Sequence, residues 1–196
     1  SATAAESGSF LPPGTPISLD AAVRAHCEGR NVRILTDSPV IAVTPKQVRL
    51  RGGVTVRSDL TIWTGGVTAP PLLHEAGLAD EPRQWAPVTA ALRSKRFDNL
   101  FVIGDAAALP HPLAKQAYYA LQMGQCAAEN VRRALDGRTL RDFRPAAKPR
   151  LIAFGDLDTF LVSGRSAIAS PGLAALKEAV FQVTMAEIDP PLNAAA

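Results

Sequence analysis

The sequence predicts an α/β fold with an α+β tail, on three observations. Two apolar runs, "TIWTGG" and "FVIGD", stop on glycines, as strands do at the ligand-binding edge of an open sheet. An alanine-rich segment with helical periodicity follows the second run, from about Leu113 to Leu135. After Arg150 the composition shifts to short β-type runs and then one helix.

The elements can be justified in order. Residues 1–16, "SATAAESGSFLPPGTP", are polar, small and proline-rich, and read as a flexible leader without the basic region and apolar core of a signal peptide. "ISLDAAVRAHCEGR" is a helix with Ser18 as N-cap and Gly29 as its stop. Four β segments follow, "VRIL", "PVIAV", "QVRL" and "DLTIW", separated by Pro39, Thr44-Pro45 and Gly52-Gly53. "RLRGGVTV" reads as a hairpin on its Gly-Gly turn.

From "APPLLHEAGL" to Pro87 a loop with one short helix is expected, then the strand "NLFVIGD" and the long helix. Gly137 suits its C-cap, and Arg132 and Arg133 suit its negative end. The tail, "RLIAFGDLDTFLVSGRSAIA", breaks at Gly155-Asp156 and Gly164. "SPGLAALKEAVFQVTMAEI" is then a helix capped at Ser170, with Pro171 at its first position and Pro190-Pro191 beyond its end. This tail is too small to stand alone and is expected to pack on what precedes it.

Composition narrows the function. A 196-residue chain with 47% hydrophobic and 20% charged residues is ordinary for a globular protein, and no apolar run approaches the roughly 18 residues of a membrane span. The net charge of +3 is mild, and the densest basic stretch, "RRALDGRTLRDFRPAAKPR", is interrupted by acids and lacks an aromatic platform. It reads as a solvated helix end rather than a nucleic-acid site. Cys27 and Cys126 are too far apart in sequence for a C-x-x-C pair, which argues against zinc or a disulfide framework and for a reducing, cytoplasmic location. His26 and Cys27 are adjacent on a helix and point in different directions.

The Gly104-Asp105 turn is the chemical signal. Glycine lets backbone approach a ligand closely, Asp105 can accept bonds from sugar-like hydroxyls, and a helix start carrying Lys115 and Gln116 favours negative charge. Read alone, the same residues are equally a strand-ending turn and a solvated lysine.

Four ordered motifs, "TIWTGGVTAPPLLHEAGL", "DNLFVIGDAAALP", "AYYALQMGQCAAENV" and "FRPAAKPRLIAFGDLDTFLVSGR", resemble the C-terminal part of FAD-dependent pyridine nucleotide(-disulfide) oxidoreductases. The resemblance is to type II NADH:quinone dehydrogenases and to quinone reductases of the apoptosis-inducing-factor and ferroptosis-suppressor kind. It implies a partial FAD/NAD(P)-binding Rossmann-like fold followed by a C-terminal β-sheet and helix region. Residues 17–66 would be the second half of an NAD(P)-binding domain, 67–138 part of the FAD-binding domain, and 139–196 a dimerisation or interface region.

The resemblance also implies site roles. Asp105 would hold the FAD ribityl chain, with Gly104 giving close approach; Thr64 and Gly65 would lie near the two cofactors. Lys115, Gln116 and Ala117 would face the flavin, while Tyr118 and Gln122 would border a quinone site, Tyr118 standing where a glutamine is common. NAD(P)H would be the donor and a quinone-like molecule the acceptor. The two G-x-G-x-x-G turns such enzymes use for dinucleotides are absent from the sequence. The chain is therefore expected to be the C-terminal piece of an enzyme, inactive alone, that needs the missing N-terminal half or a partner chain. The alternative is a non-enzymatic dimerisation module of the same fold. The last helix, with Leu173, Leu176, Val180, Phe181 and Val183 on one side, suits packing on its own sheet or on a dimer partner more than the membrane surface, its one base being Lys177.

Overall fold

The computed structural model describes residues 2–9, 11, 15–146, 149–155, 157–164 and 166–188. The chain divides into two compact units, 1–62 together with 148–196, and 63–147.

The first unit opens with a βαβ element. β1 (Ala2–Ala5) pairs in parallel with β2 (Val32–Leu35) across the crossover helix α1 (Ile17–Gly29). A parallel pair needs such a crossover, and an amphipathic helix supplies it. The expected flexible leader is thus corrected: residues 2–5 form a strand, because backbone pairing with β2 outweighs their small, polar composition. The helix starts one residue before the predicted Ser18 cap, with Pro16 at the N-cap and no side-chain cap bond.

β3 (Val40–Thr44), β4 (Gln47–Leu50) and β5 (Thr55–Arg57) form an antiparallel sheet with β4 in the middle. The predicted hairpin joins β4 to β5 on Gly52 and Gly53, both near φ +88°, a region that L-residues avoid. β8 (Arg150–Ala153), β9 (Thr159–Ser163) and β10 (Ser166–Ala169) form a second antiparallel sheet centred on β9. α4 (Gly172–Ile188) follows; the Gly172 N–H donates to Ser170 Oγ at 3.3 Å, as the predicted cap requires. Pro190 and Pro191 lie outside the described residues.

The tail does pack on the N-terminal part. Phe160 and Val162 of β9 bury against Leu19 and Val23 of α1. Each such side chain contributes about 1.5–3 kcal/mol from burial.

The second unit is built around α3 (Ala117–Leu135), with α2 (Leu72–Glu75) and the short parallel pair β6 (Ala86–Pro87) and β7 (Ala107–Ala108). Three expectations are corrected here or at its border. "DLTIW" and the following "TGG" are irregular and exposed, since no described strand pairs with residues 58–71 and an unpaired strand is not stable in water. "NLFVIGD" keeps one bridge, Phe101 to Arg93, and then turns through a 3-10 segment at Gly104–Ala106. The long helix begins at Ala117 rather than Leu113. Gln116 is extended (φ −144°, ψ 140°), so the helical hydrogen-bond ladder starts only after it.

α3 is tied down by Asn130, whose exposure is 0%. Its Nδ2 donates to the Ala91 and Arg141 carbonyls at 3.0 and 2.8 Å, and its Oδ1 accepts the Arg141 N–H at 2.8 Å. A buried amide with all these bonds made is stabilising, and its removal leaves several backbone groups unpaired. Asn130→Ala should lower unfolding free energy by about 2–4 kcal/mol in urea titration, against a change within about 0.5 kcal/mol for exposed Gln125→Ala. Equal midpoints for the two variants would contradict this role.

Candidate functional site

A pocket of about 260 Å³ opens in the second unit where the 3-10 turn meets the approach to α3. Four predicted residues line it together: Gly104, Asp105, Lys115 and Gln116. The geometry starts from Gly104. Its φ of +62° turns the chain sharply, and a Cβ there would sit 3.4 Å from the Ala120 Cβ. Its N–H donates to Met123 Sδ at 3.2 Å, which fixes the turn on the second turn of α3.

Lys115 spans the pocket. Its Nζ donates to the Asp105 backbone carbonyl and lies 3.6 Å from the centre of the Trp85 ring. Burial pushes its pKa below the ordinary lysine value, while the Asp105 carboxylate pulls it back up. Desolvation therefore wins, so the ammonium is held at a cost that an incoming anion would relieve. Gln116 is the N-cap of α3 in extended conformation, with no side chain capping the helix start. The N–H groups of that start point outward with the positive end of the helix dipole.

The other predicted residues fall elsewhere. Thr64 and Gly65 are exposed in the irregular stretch and do not line the pocket; a Cβ on Gly65 would meet the Trp63 indole at 2.5 Å. Ala117 is exposed at the first position of α3. The Tyr118 ring packs on Tyr119, with centroids 4.1 Å apart. Gln122 Oε1 accepts the Ala146 N–H at 3.0 Å.

Trp85, Tyr119, Ala120 and Met123 line the pocket without having been anticipated. For three of them the signal was present. Gln116, Tyr119, Ala120 and Met123 follow the i, i+3, i+4, i+7 spacing of one helix face. Trp85 lies in a loop, where periodicity says nothing.

Burial first, with Glu129 and Asp142 adding to it and Arg141 opposing, pushes the Cys126 thiol up and keeps it protonated. A protonated thiol is a poor nucleophile. Among the described residues no cluster could hold a metal ion, and no helix is long and apolar enough to cross a membrane.

The depressed Lys115 pKa has a stability consequence. Between the folded-state pKa and the unfolded value near 10.5, the unfolded chain binds more protons, so stability from this group rises with pH. Below that window the full penalty applies. Urea unfolding of the chain, compared with Lys115→Met across this alkaline range, should show that rise only with lysine present. A difference that is flat or falls with pH would contradict the desolvated placement.

Comparison with known proteins places these features. The family model for pyridine nucleotide-disulphide oxidoreductases matches residues 5–124. The type II NADH:quinone oxidoreductase of Staphylococcus aureus is 26% identical over 142 residues, which are 68% of this chain and 35% of that protein. The chain thus spans about a third of the curated relatives it matches. Among solved structures, the sulfide:quinone oxidoreductase of Aquifex aeolicus superposes with a TM-score of 0.69 at 18% identity, covering 93% of this chain and 48% of that one. An FAD-dependent pyridine nucleotide-disulphide oxidoreductase from Desulfovibrio vulgaris gives 0.57 at 23% identity, covering 81% and 41%. With its α/β fold and the family match running through the Gly104-Asp105 turn into α3, this chain belongs to the pyridine nucleotide-disulphide oxidoreductase family.

Proposed function

We propose that this chain forms the ring-facing wall of a flavin site in an oxidoreductase that passes electrons from NAD(P)H through FAD to a quinone-like acceptor. The observation that carries the reading is the convergence of Gly104, Asp105, Lys115 and Gln116 on one pocket. The Staphylococcus aureus relative, an NADH:quinone oxidoreductase, supports the donor and acceptor classes.

The residues fit one end of such a cofactor. A volume of about 260 Å³ lies just below the range of roughly 300–1,000 Å³ usual for ligand sites, so it suits a ring system and not a whole dinucleotide. The phosphates call for the glycine-rich turns that this sequence lacks. The remainder of the site is supplied by an N-terminal half or a partner chain, and the chain alone is not expected to turn over.

When bound, FAD supplies the redox chemistry. The chain supplies orientation and charge. The exposed Asp105 carboxylate accepts bonds from hydroxyls at the pocket edge, and Gly104 keeps that edge open to backbone approach. Lys115 and the uncapped start of α3 favour negative charge on whatever ring lies against them. Tyr118 and Gln122, further along α3, lie on the side assigned to the acceptor. Thr64 and Gly65 reach the cofactors only with the rest of the protein in place.

A second reading, a non-enzymatic dimerisation module, is favoured by α4. Leu176, Val180 and Val183 recur at helical spacing and are about half exposed or more. They suit a homodimer contact, or a peripheral contact with the cytoplasmic face of a membrane. Asp105→Ala in the full-length protein separates the readings. Flavin retention, read as visible absorption of the purified protein, should be abolished; undiminished flavin content would reject the flavin assignment and leave the module.

A further inference from the structure

We infer that Trp85 is the positioning residue of this site, holding the Lys115 ammonium over the pocket so that the pair selects the negatively charged form of a bound ring; this rests on the flavin reading above. A lysine side chain is long and flexible and loses rotamer freedom wherever it is fixed. Here Nζ is fixed at two points, the Asp105 carbonyl and the Trp85 ring, and all three residues line the same pocket.

The indole is held independently of any ligand. Trp85 packs half-buried against the cluster of Ala69, Leu73, Ala86 and Val102, and the next residue, Ala86, pairs with Ala107 in the β6–β7 ladder. The core of the second unit therefore sets the ring's orientation, and the ring sets the lysine's.

The chemistry of the partner matters as much as its place. The face of an indole is negative through its quadrupole and attracts a cation. It carries no net charge, so it does not neutralise the lysine as a carboxylate salt bridge would. The ammonium stays positive towards the pocket, and its backbone-carbonyl acceptor is neutral too. Asp105 and Tyr119 are the other ionisable groups lining the pocket.

The test uses the full chain with riboflavin, which carries the ring and ribityl hydroxyls but no phosphate. The chain has two tryptophans, and Trp63 does not line the pocket, so Trp63→Phe leaves Trp85 as the only indole. Its emission should change with pH as Lys115 loses its proton, and that inflection should vanish when Lys115→Met is added. Identical profiles with and without Lys115 overturn the pairing.

The second readout is the midpoint potential of bound riboflavin, which reports the ratio of affinities for the reduced anion and the oxidised ring. Trp85→Leu should weaken that preference about 3- to 10-fold, a size set by ordinary cation–π strengths. Trp85→Phe, which keeps an aromatic face and most of the packing, should recover part of it. Lys115→Met should remove at least as much, and adding Trp85→Leu to it should remove no more. A preference lowered by Lys115→Met but untouched by both Trp85 variants overturns this inference alone. Riboflavin that does not bind at all overturns the flavin reading and the inference with it.

Discussion

The second unit depends on how closely α3 can lie against the 3-10 turn. At one end the constraint is Gly104. Its positive φ makes the turn and favours glycine there, and an added Cβ would stand in ordinary contact, 3.4 Å from the Ala120 methyl. At the other end the constraint is Asn130, which ties the helix to the Ala91 and Arg141 backbone. Leu92 contributes between them: it is fully buried beside Met123 and Ala127 although its φ is +66°. A left-handed leucine costs on the order of 1–3 kcal/mol, offset here by packing. The pocket is what remains between two elements fixed at both ends.

That placement determines the electrostatics. An ammonium near the uncapped start of a 19-residue helix, with a neutral carbonyl and an indole as its named contacts, gives a site with unspent positive potential. The Asp105 carboxylate moderates it without closing it, as the opposing influences on Lys115 indicate. Burial holds the Cys126 thiol protonated, and among the described residues no cluster could hold a metal ion.

Much of this was legible in the sequence, for identifiable reasons. α1, the Gly-Gly hairpin and the tail sheet were readable because their signals are local: helical spacing, positive-φ glycines and β-branched runs between breakers. Asp105 and Lys115 stood out because a carboxylate and a cation beside a glycine turn are chemically conspicuous. Non-local pairing was hidden. Nothing in "ATAA" announces a strand, since β2, some thirty residues away, makes it one. "DLTIW" has strand composition, but no described strand pairs with it, and Leu60, Ile62 and Trp63 stay exposed. Trp85 could not be found from its own neighbourhood, because its role exists only when Lys115 reaches it across thirty residues of chain.

We propose that residues 104–105 and 115–116 form one flavin-facing wall. Amide hydrogen exchange of the chain, recorded with and without saturating FAD, tests it most directly. Slowed exchange is expected, confined to Gly104–Ala106 and to residues 115–120 at the start of α3, where backbone amides would face the ligand. Slowing confined to the first unit, or no change in either segment with FAD bound, would contradict it.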